Sequence, residues 1–349
     1  SMGWFSSSKK EEKSGFMDDM SEEQEQTLEE FKKIIAEESL TEDPRYDDYY
    51  LLRFLRARKF DIEKTMVMFK KFLEWRVEHR ADEAMVIYKC PNVEKAREIY
   101  PHGYHGTDLE GRPFYIDQPC NFHIDDLLKI VSKEELYVYY VREYEKLIHV
   151  RFPACSAASE KKIEQSFSLL NLKGFSMGKL KEKSRNFIKL AIDIGSDNYP
   201  EIMYKMFIVN TSFVFKGAWA IISPFLDAKT KKKISIHGSS FQKELFKYVD
   251  PSNVPESLGG ECTCSHTEGG CYFSDVGPWN EYPADEFGEA AKQALLEEEK
   301  NEIAATEGLA PPPPPSSGNV EEVTEKMANL EVQPAVPTEL AAPPPPSES

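Results

Sequence analysis

The sequence predicts an α/β protein: an all-helical N-terminal lobe, then a mostly parallel sheet interleaved with helices. Three observations carry this reading. Apolar residues recur at helical spacing from Leu28 to Leu73. Short apolar strands alternate with amphipathic helices from Gly111 onward. Charge and proline set both ends of the chain apart from its middle. The 349 residues carry a net charge of −17, of which residues 1–50 hold −9, residues 281–349 hold −12 and the middle holds +4. No nucleic-acid partner is expected, because neutralising phosphates needs a strong basic surplus. No apolar run reaches the ~18–20 residues that span a bilayer.

The helical lobe is assigned to residues 21–90. Ser21 and Gln24 have capping-box spacing, after which Leu28, Phe31, Ile34 and Ile35 share one face. Residues 49–58 set Leu51, Leu52, Phe54 and Leu55 among basic side chains. Arg53 and Arg56 read as a solvated, ion-paired face. Arg58 and Lys59 stand at a helix end, where a loop can present them to a ligand. Asp61 caps a further helix with Ile62, Met66, Phe69 and Leu73 on one side. Residues 1–20 are expected to be a disordered leader. Gly3 loosely fits the N-myristoylation pattern, against which the bulky Trp4 counts.

The second lobe is assigned to residues 91–280. Gly111-Arg112-Pro113 is a turn feeding a strand at 114–117, and an amphipathic helix follows at 137–151. Strands at 165–172, 205–209 and 234–237 are separated by a helix at 180–194 and by an apolar stretch, which favours parallel pairing. Within 166–170, Ser166 and Ser168 share one face while Phe167 and Leu169 take the other. Small hydroxyls on a buried face leave room and hydrogen bonds beside the strand; a polar edge strand is the alternative. Tyr104, Tyr115, Tyr140 and Tyr144 suit the polar end of an apolar pocket as well as an ordinary core.

Residues 213–226 are apolar nearly all round: Phe213, Phe215, Trp219, Ile221, Ile222 and Phe225 stand out, and Lys216, Gly217, Ser223 and Pro224 interrupt. Lys229, Lys231, Lys232 and Lys233 follow. Two readings stand level. One is a buried core helix ending in a Lys-rich turn; the other is an element that enters a bilayer interface while its lysines meet anionic head groups. No phosphate loop, dinucleotide fingerprint, zinc-protease helix or nucleophile elbow is present. Cys262, Cys264, His266 and Cys271 lie in one loop at a spacing foreign to standard zinc fingers and ribbons. A variable surface loop of free thiols is the favoured reading and no metal is assigned, with zinc bound by these four residues as the alternative. Without a secretory segment after Met2, the six cysteines are expected to be reduced and the protein cytoplasmic. Eleven of 23 prolines fall in 311–349, so the acidic stretch 281–349 is expected to be a largely disordered spacer.

Eight segments resemble the phosphatidylinositol/phosphatidylcholine transfer branch of the CRAL-TRIO lipid-binding family: LLRFLRARKFDIEKT (51–65), HGTDLEGRPFY (105–115), EYEKLIHVRFPACS (143–156), NLKGFSM (171–177), SDNYPE (196–201), SPFLDAKT (223–230), GSSFQKEL (238–245) and GGCYFSDVGPW (269–279). The resemblance implies a pocket that buries one phospholipid, gated by a mobile apolar helix at about 213–233, and no cofactor. It places phosphatidylinositol recognition at Arg58, Lys59, Glu201, Thr230 and Lys233, and phosphatidylcholine recognition at Tyr104, Tyr115, Tyr144, Ser166 and Ser168. Ser168 replaces the usual Thr, Ile202 stands where the family has Arg, and Asn171 where an acidic residue is common. The implied function is non-enzymatic phospholipid exchange at membrane surfaces, with the Golgi and presentation to phosphatidylinositol kinases as expected settings and a monomer as the expected state. A carrier of a sterol or tocopherol-like molecule is the alternative. A lipid-modifying hydrolase ranks last, because no activated nucleophile or acid/base pair is visible.

Overall fold

The computed structural model describes residues 13–87, 90–119 and 124–281. The chain divides into units 1–309 and 310–349, and every described residue lies in the first. Gly3 and the acidic tail from 282 lie outside the described residues.

Helices α1 (Glu22–Glu37), α2 (Asp48–Ala57) and α3 (Ile62–Glu78) form the N-terminal lobe. Each starts where the local chemistry demands. The Ser21 hydroxyl accepts from the Gln24 N–H while the Gln24 side chain accepts from the Ser21 N–H, and Asp47 and Asp61 cap α2 and α3. Their inner faces meet through Phe31, Phe54, Phe69 and Phe72, whose rings pack edge-on or tilted at 4.9–5.4 Å between centroids. This core continues into the second lobe through Val141, Leu147, Phe152 and Trp279, so the two lobes share one hydrophobic cluster.

Two expectations for this lobe are corrected. Residues 13–20, assigned to a disordered leader, make a turn in which the Gly15 N–H donates to the Asp19 carbonyl, and Met17 and Met20 pack on the core. Arg53 and Arg56 are buried rather than solvated. Arg53 lies 4.0 Å over the Tyr50 ring, and Arg56 lies 4.0 Å over the Phe16 ring while donating to Glu164 at 2.7 Å. Neither Phe16 nor Glu164 is near Arg56 in sequence, so helical spacing carried no sign of this burial.

Short helices α4 (Ala84–Ile87) and α5 (Val93–Ile99) lead into the sheet. Its strands are β1 (His102–Thr107), β2 (Pro113–Asp117), β3 (Ser166–Asn171), β4 (Met203–Val209) and β5 (Ile234–Ile236), in spatial order β1-β2-β3-β4-β5. The hairpin β1–β2 is antiparallel and the other pairs are parallel. Between β2 and β3 run α6 (Ile124–Leu127), α7 (Lys133–Lys146), a π turn at Leu147–Arg151 and α8 (Phe152–Ser159). The expected single helix 137–151 thus changes winding near Pro153, which has no N–H to continue the ladder. Helix α9 (Glu182–Asn198) links β3 to β4. The apolar run after β4 is not one helix. It is α10 (Phe215–Ile222), a 3-10 turn Ser223–Phe225 forced by Pro224, then α11 (Ala228–Lys233), capped by Asp227. A last short helix, α12 (Gln242–Leu245), precedes loops that return along β1.

Strand pairing sorts the sheet into two faces. One carries Phe114, Phe167 and Phe207 into a dry cluster with Phe241, Leu245, Val254 and Leu258. On the other, register aligns Tyr104 with Tyr115, Tyr115 with Ser168, Ser168 with Met206 and Met206 with Ile234. The expected division of Ser166 and Ser168 from Phe167 and Leu169 is what the sheet displays.

Candidate functional site

The row Tyr104–Tyr115–Ser168–Met206–Ile234 is the floor of a cavity of about 870 Å³, near the upper end of the ~300–1,000 Å³ range of small-molecule sites. Helices α7 and α9 supply walls through Tyr140, Tyr144, Phe187, Ile188 and Ala191. Helix α10 and the turn after it supply the roof through Phe215, Trp219, Ile222 and Phe225. The C-terminal end of α2 and the turn at Glu201 supply the rim.

The expected residues fall on this lining as follows. Arg58, Lys59, Glu201, Thr230 and Lys233 all line the cavity, as do Tyr104, Tyr115, Tyr144, Ser166 and Ser168. Of the roof set, Phe213, Ile221, Lys231 and Lys232 are not among the lining residues. Phe213 is 83 % exposed, and Lys231 and Lys232 face solvent. Of the two level readings, the one that buries this stretch on every side does not hold: Phe215 and Ala218 are buried, while Lys216 and Gly217 of α10 and Phe213 and Val214 just before it are exposed.

At the rim, Arg58 follows the last turn of α2, and Lys59 and Phe60 both take left-handed backbone, φ 54° and 59°, which turns the chain sharply before α3. Glu201 is likewise left-handed, at φ 62°. Its carboxylate accepts from Lys229 Nζ at 2.9 Å and Lys233 Nζ at 3.2 Å, and Lys229 also donates to the Arg56 carbonyl at 3.3 Å. Burial pushes the Glu201 carboxyl up, but Lys233 and Lys229 outweigh it and hold it below the usual value. Burial in turn lowers Lys233, against the pull of Glu201. Helix α11 is therefore tied to the rim by two ion pairs that an anionic ligand can compete for.

The deep end is polar and aromatic. Tyr144 stacks on Tyr199 at 4.6 Å, and its hydroxyl sits where a side chain on Gly195 would collide with it, 2.8 Å from a Cβ built there. Tyr104 packs on Tyr115 at 5.1 Å, with the Arg151 guanidinium 4.0 Å over its ring. The Ser166 hydroxyl donates to the Ile202 carbonyl at 3.4 Å.

Several lining residues escaped the sequence reading. Arg56 reaches the rim with Nε and Nη1 unpartnered among the described residues, and burial lowers its pKa. His102 joins the Tyr100 carbonyl at 2.7 Å and the Tyr139 hydroxyl at 2.9 Å, and burial pushes it down to about 4, so it is neutral. Asp117 accepts from the Tyr100 hydroxyl at 2.7 Å. Asp117 had a signal: a carboxylate ending an apolar strand. Arg56 and His102 had none.

With a large apolar interior, hydroxyls at its deep end and cations at its rim, the site is suited to holding an amphiphile. The chain is similar to known proteins. A family model described as the CRAL/TRIO domain matches residues 97–260, and one described as the CRAL/TRIO N-terminal domain matches residues 18–71. The SEC14 cytosolic factor of Kluyveromyces lactis is 39 % identical over 268 residues, covering 77 % of this chain and 88 % of that protein. The phosphatidylinositol/phosphatidylcholine transfer proteins SFH9 and SFH12 of Arabidopsis thaliana are 38 % and 39 % identical, covering 74 % and 71 % of this chain. The chain spans only 45 % of the length of each of these two.

Proposed function

The chain belongs to the CRAL/TRIO family, and from that premise we infer that it is a non-enzymatic carrier exchanging one phosphatidylinositol or phosphatidylcholine molecule between membranes. The observation that carries this reading is the closed row of apolar and hydroxyl side chains under α10, with a cationic rim at one end. Acyl chains in water cost ~0.8 kcal/mol per CH₂, so the interior must accept them before the lipid leaves the bilayer. Chains moving from bilayer to cavity stay dry throughout. Net driving force is then small, and selectivity rests on the polar ends.

At the rim, a phosphoinositol head group meets Arg58, Lys59 and Lys233, with Thr230 and Glu201 available to its hydroxyls. A phosphate near Lys233 competes with Glu201 and loosens the tie that holds α11. At the deep end, the hydroxyls of Tyr104, Tyr115, Tyr144 and Ser168 suit a choline phosphate, and the tyrosine faces suit its cation. Exchange occurs while α10 lies against a membrane, with Phe213 and Val214 just before it in the interface and Lys231 and Lys232 on anionic head groups.

Native mass spectrometry of the purified chain should find one phospholipid mass per molecule; a sterol mass, or none, overturns the reading. In vesicle transfer assays, Arg58→Ala with Lys233→Ala should lower phosphatidylinositol transfer at least tenfold and leave phosphatidylcholine transfer within twofold. Equal loss of both sinks the assignment of the rim to inositol.

A further inference from the structure

A second cluster lies on the sheet face away from the cavity. The loop after α12 folds back along β1 and delivers Cys262, Cys264 and Cys271 to His105, a residue of β1 itself. One ligand atom from each lies within 4.8 Å of all the others. The Cys262 and Cys264 sulfurs are 3.5 Å apart, and Cys264 Sγ is 3.9 Å from His105 Nδ1. A tetrahedral ion at ~2.3 Å from sulfur and ~2.0–2.1 Å from nitrogen holds its ligand atoms about 3.5–3.8 Å apart. These two separations are at or close to ligand spacing, and the others, all within 4.8 Å, need to close by about 1 Å at most. His266, which the loop sequence offered as the fourth donor, is exposed and is not in the cluster.

The surroundings resemble those of a closed structural site. His105, Cys264 and Cys271 are buried, and Cys262 is half-buried. Ser274 Oγ donates to the Cys271 carbonyl and stands 2.8 Å from His105 Nδ1, the nitrogen that faces Cys264, so an ion ligated there takes the place of this hydrogen bond. The loop is held close to the strand: the Arg97 guanidinium donates to the Tyr272 carbonyl at 2.9 Å, and a Cβ on Gly103 would stand 2.7 Å from that same oxygen.

We propose that His105, Cys262, Cys264 and Cys271 bind one zinc ion that fastens the 262–271 loop to strand β1. Three thiolates and an imidazole are a soft, four-donor set, complete without water, which favours zinc over hard cations and serves structure rather than catalysis. On binding, three thiol protons leave to solvent and His105 ligates as the neutral ring. The consequence reaches the cavity. Asp275, four residues beyond Cys271, pairs with Lys146 at 2.9 Å and with Arg151 at 3.2 Å, and Arg151 lies on the ring of Tyr104.

The test uses the full chain, purified under reducing conditions without added metal. Elemental analysis should give about one zinc per chain, and cobalt exchange should give the intense visible bands and near-ultraviolet thiolate charge-transfer bands of a tetrahedral thiolate site. His266→Ala should keep the metal. His105→Asn and Cys271→Ser should each lower occupancy at least tenfold. Because those variants could fail to fold, the wild-type chain is also stripped with chelator: its melting midpoint should fall by about 5 °C or more and recover on adding zinc. A wild-type chain that carries no metal and gives no cobalt–thiolate band overturns the proposal. So does occupancy lost in His266→Ala but kept in His105→Asn, or a disulfide among the three cysteines in the reduced preparation.

Discussion

Asp117 shows how one side chain can make stability depend on pH. It ends β2 inside the cavity wall, with Oδ2 on the Tyr100 hydroxyl and Oδ1 buried without a partner among the described residues. Burial pushes its carboxyl up to about 7 from an ordinary 3.8, against the hydrogen bond from Tyr100. Between these two values the folded chain holds a proton that the unfolded chain has released. This contribution is therefore complete below about pH 4 and is lost as pH rises through 7. Asp117→Asn should be more stable than wild type at pH 8, by up to a few kcal/mol, and equal to it near pH 4. Urea midpoints of the two proteins that stay parallel across this range would refute the assignment. At this scale the sequence was a fair guide to hydroxyls and tyrosines, whose facing follows strand alternation. It was blind to Arg56, whose burial comes from Phe16 and Glu164.

At the scale of elements, α10 is the part that the proposed exchange requires to move. Its buried face joins a small cluster of its own around Leu172, Ile208, Phe215 and Ala218, apart from the main core. Elements with few buried contacts open at the least cost. Just before α10, Phe213 and Val214 are exposed large hydrophobics, the kind of side chains that a membrane contact would bury. Phe213→Asp should slow vesicle-to-vesicle transfer several-fold and leave the melting midpoint within a degree or so, because the side chain packs on nothing that folding buries. An unchanged transfer rate would remove Phe213 from the membrane contact. Lys231→Ala and Lys232→Ala should each weaken binding to anionic vesicles by about fivefold at low salt, since a lysine near such a surface contributes ~1 kcal/mol, and the difference should vanish at high salt.

At the scale of the whole molecule, one buried network joins the two lobes. Arg76 of α3 donates to Glu145 of α7 at 2.8 Å, the Tyr199 hydroxyl donates to the same carboxylate at 2.6 Å, and His149 Nε2 lies 3.3 Å from it. Burial alone would raise the Glu145 carboxyl, but His149 and Arg76 outweigh it and bring it down to about 2 from 4.5. The stability it supplies is complete above about pH 4.5 and is lost as pH falls toward 2. Glu145→Gln should cost up to about 3–5 kcal/mol at pH 7, because it removes the buried one of the two carboxylates that pair with Arg76 and leaves it the exposed Asp82, and the loss should shrink on acidification. A loss that stays constant down to pH 2.5 would show that packing, not charge, is what the residue contributes.

Periodicity and composition by themselves settled much of this protein: the helical lobe, the alternating strands and helices, which side of β3 carries its serines, and the exceptional character of residues 213–233. Each is a local property, because side-chain facing repeats every 3.6 residues in a helix and every two in a strand. What stands across from a face is not local. Whether the serine side of β3 meets a packed helix or an open cavity depended on where α9 and α10 come to rest. Whether the apolar run is buried all round or on one face only depended on Pro224 breaking it and on the bulk of the protein lying to one side. The fourth donor beside Cys264 came from a residue 159 positions away, brought there only by strand β1. Such meetings follow from the free energy of the complete packing arrangement, and a spacing rule read along the chain has no access to them.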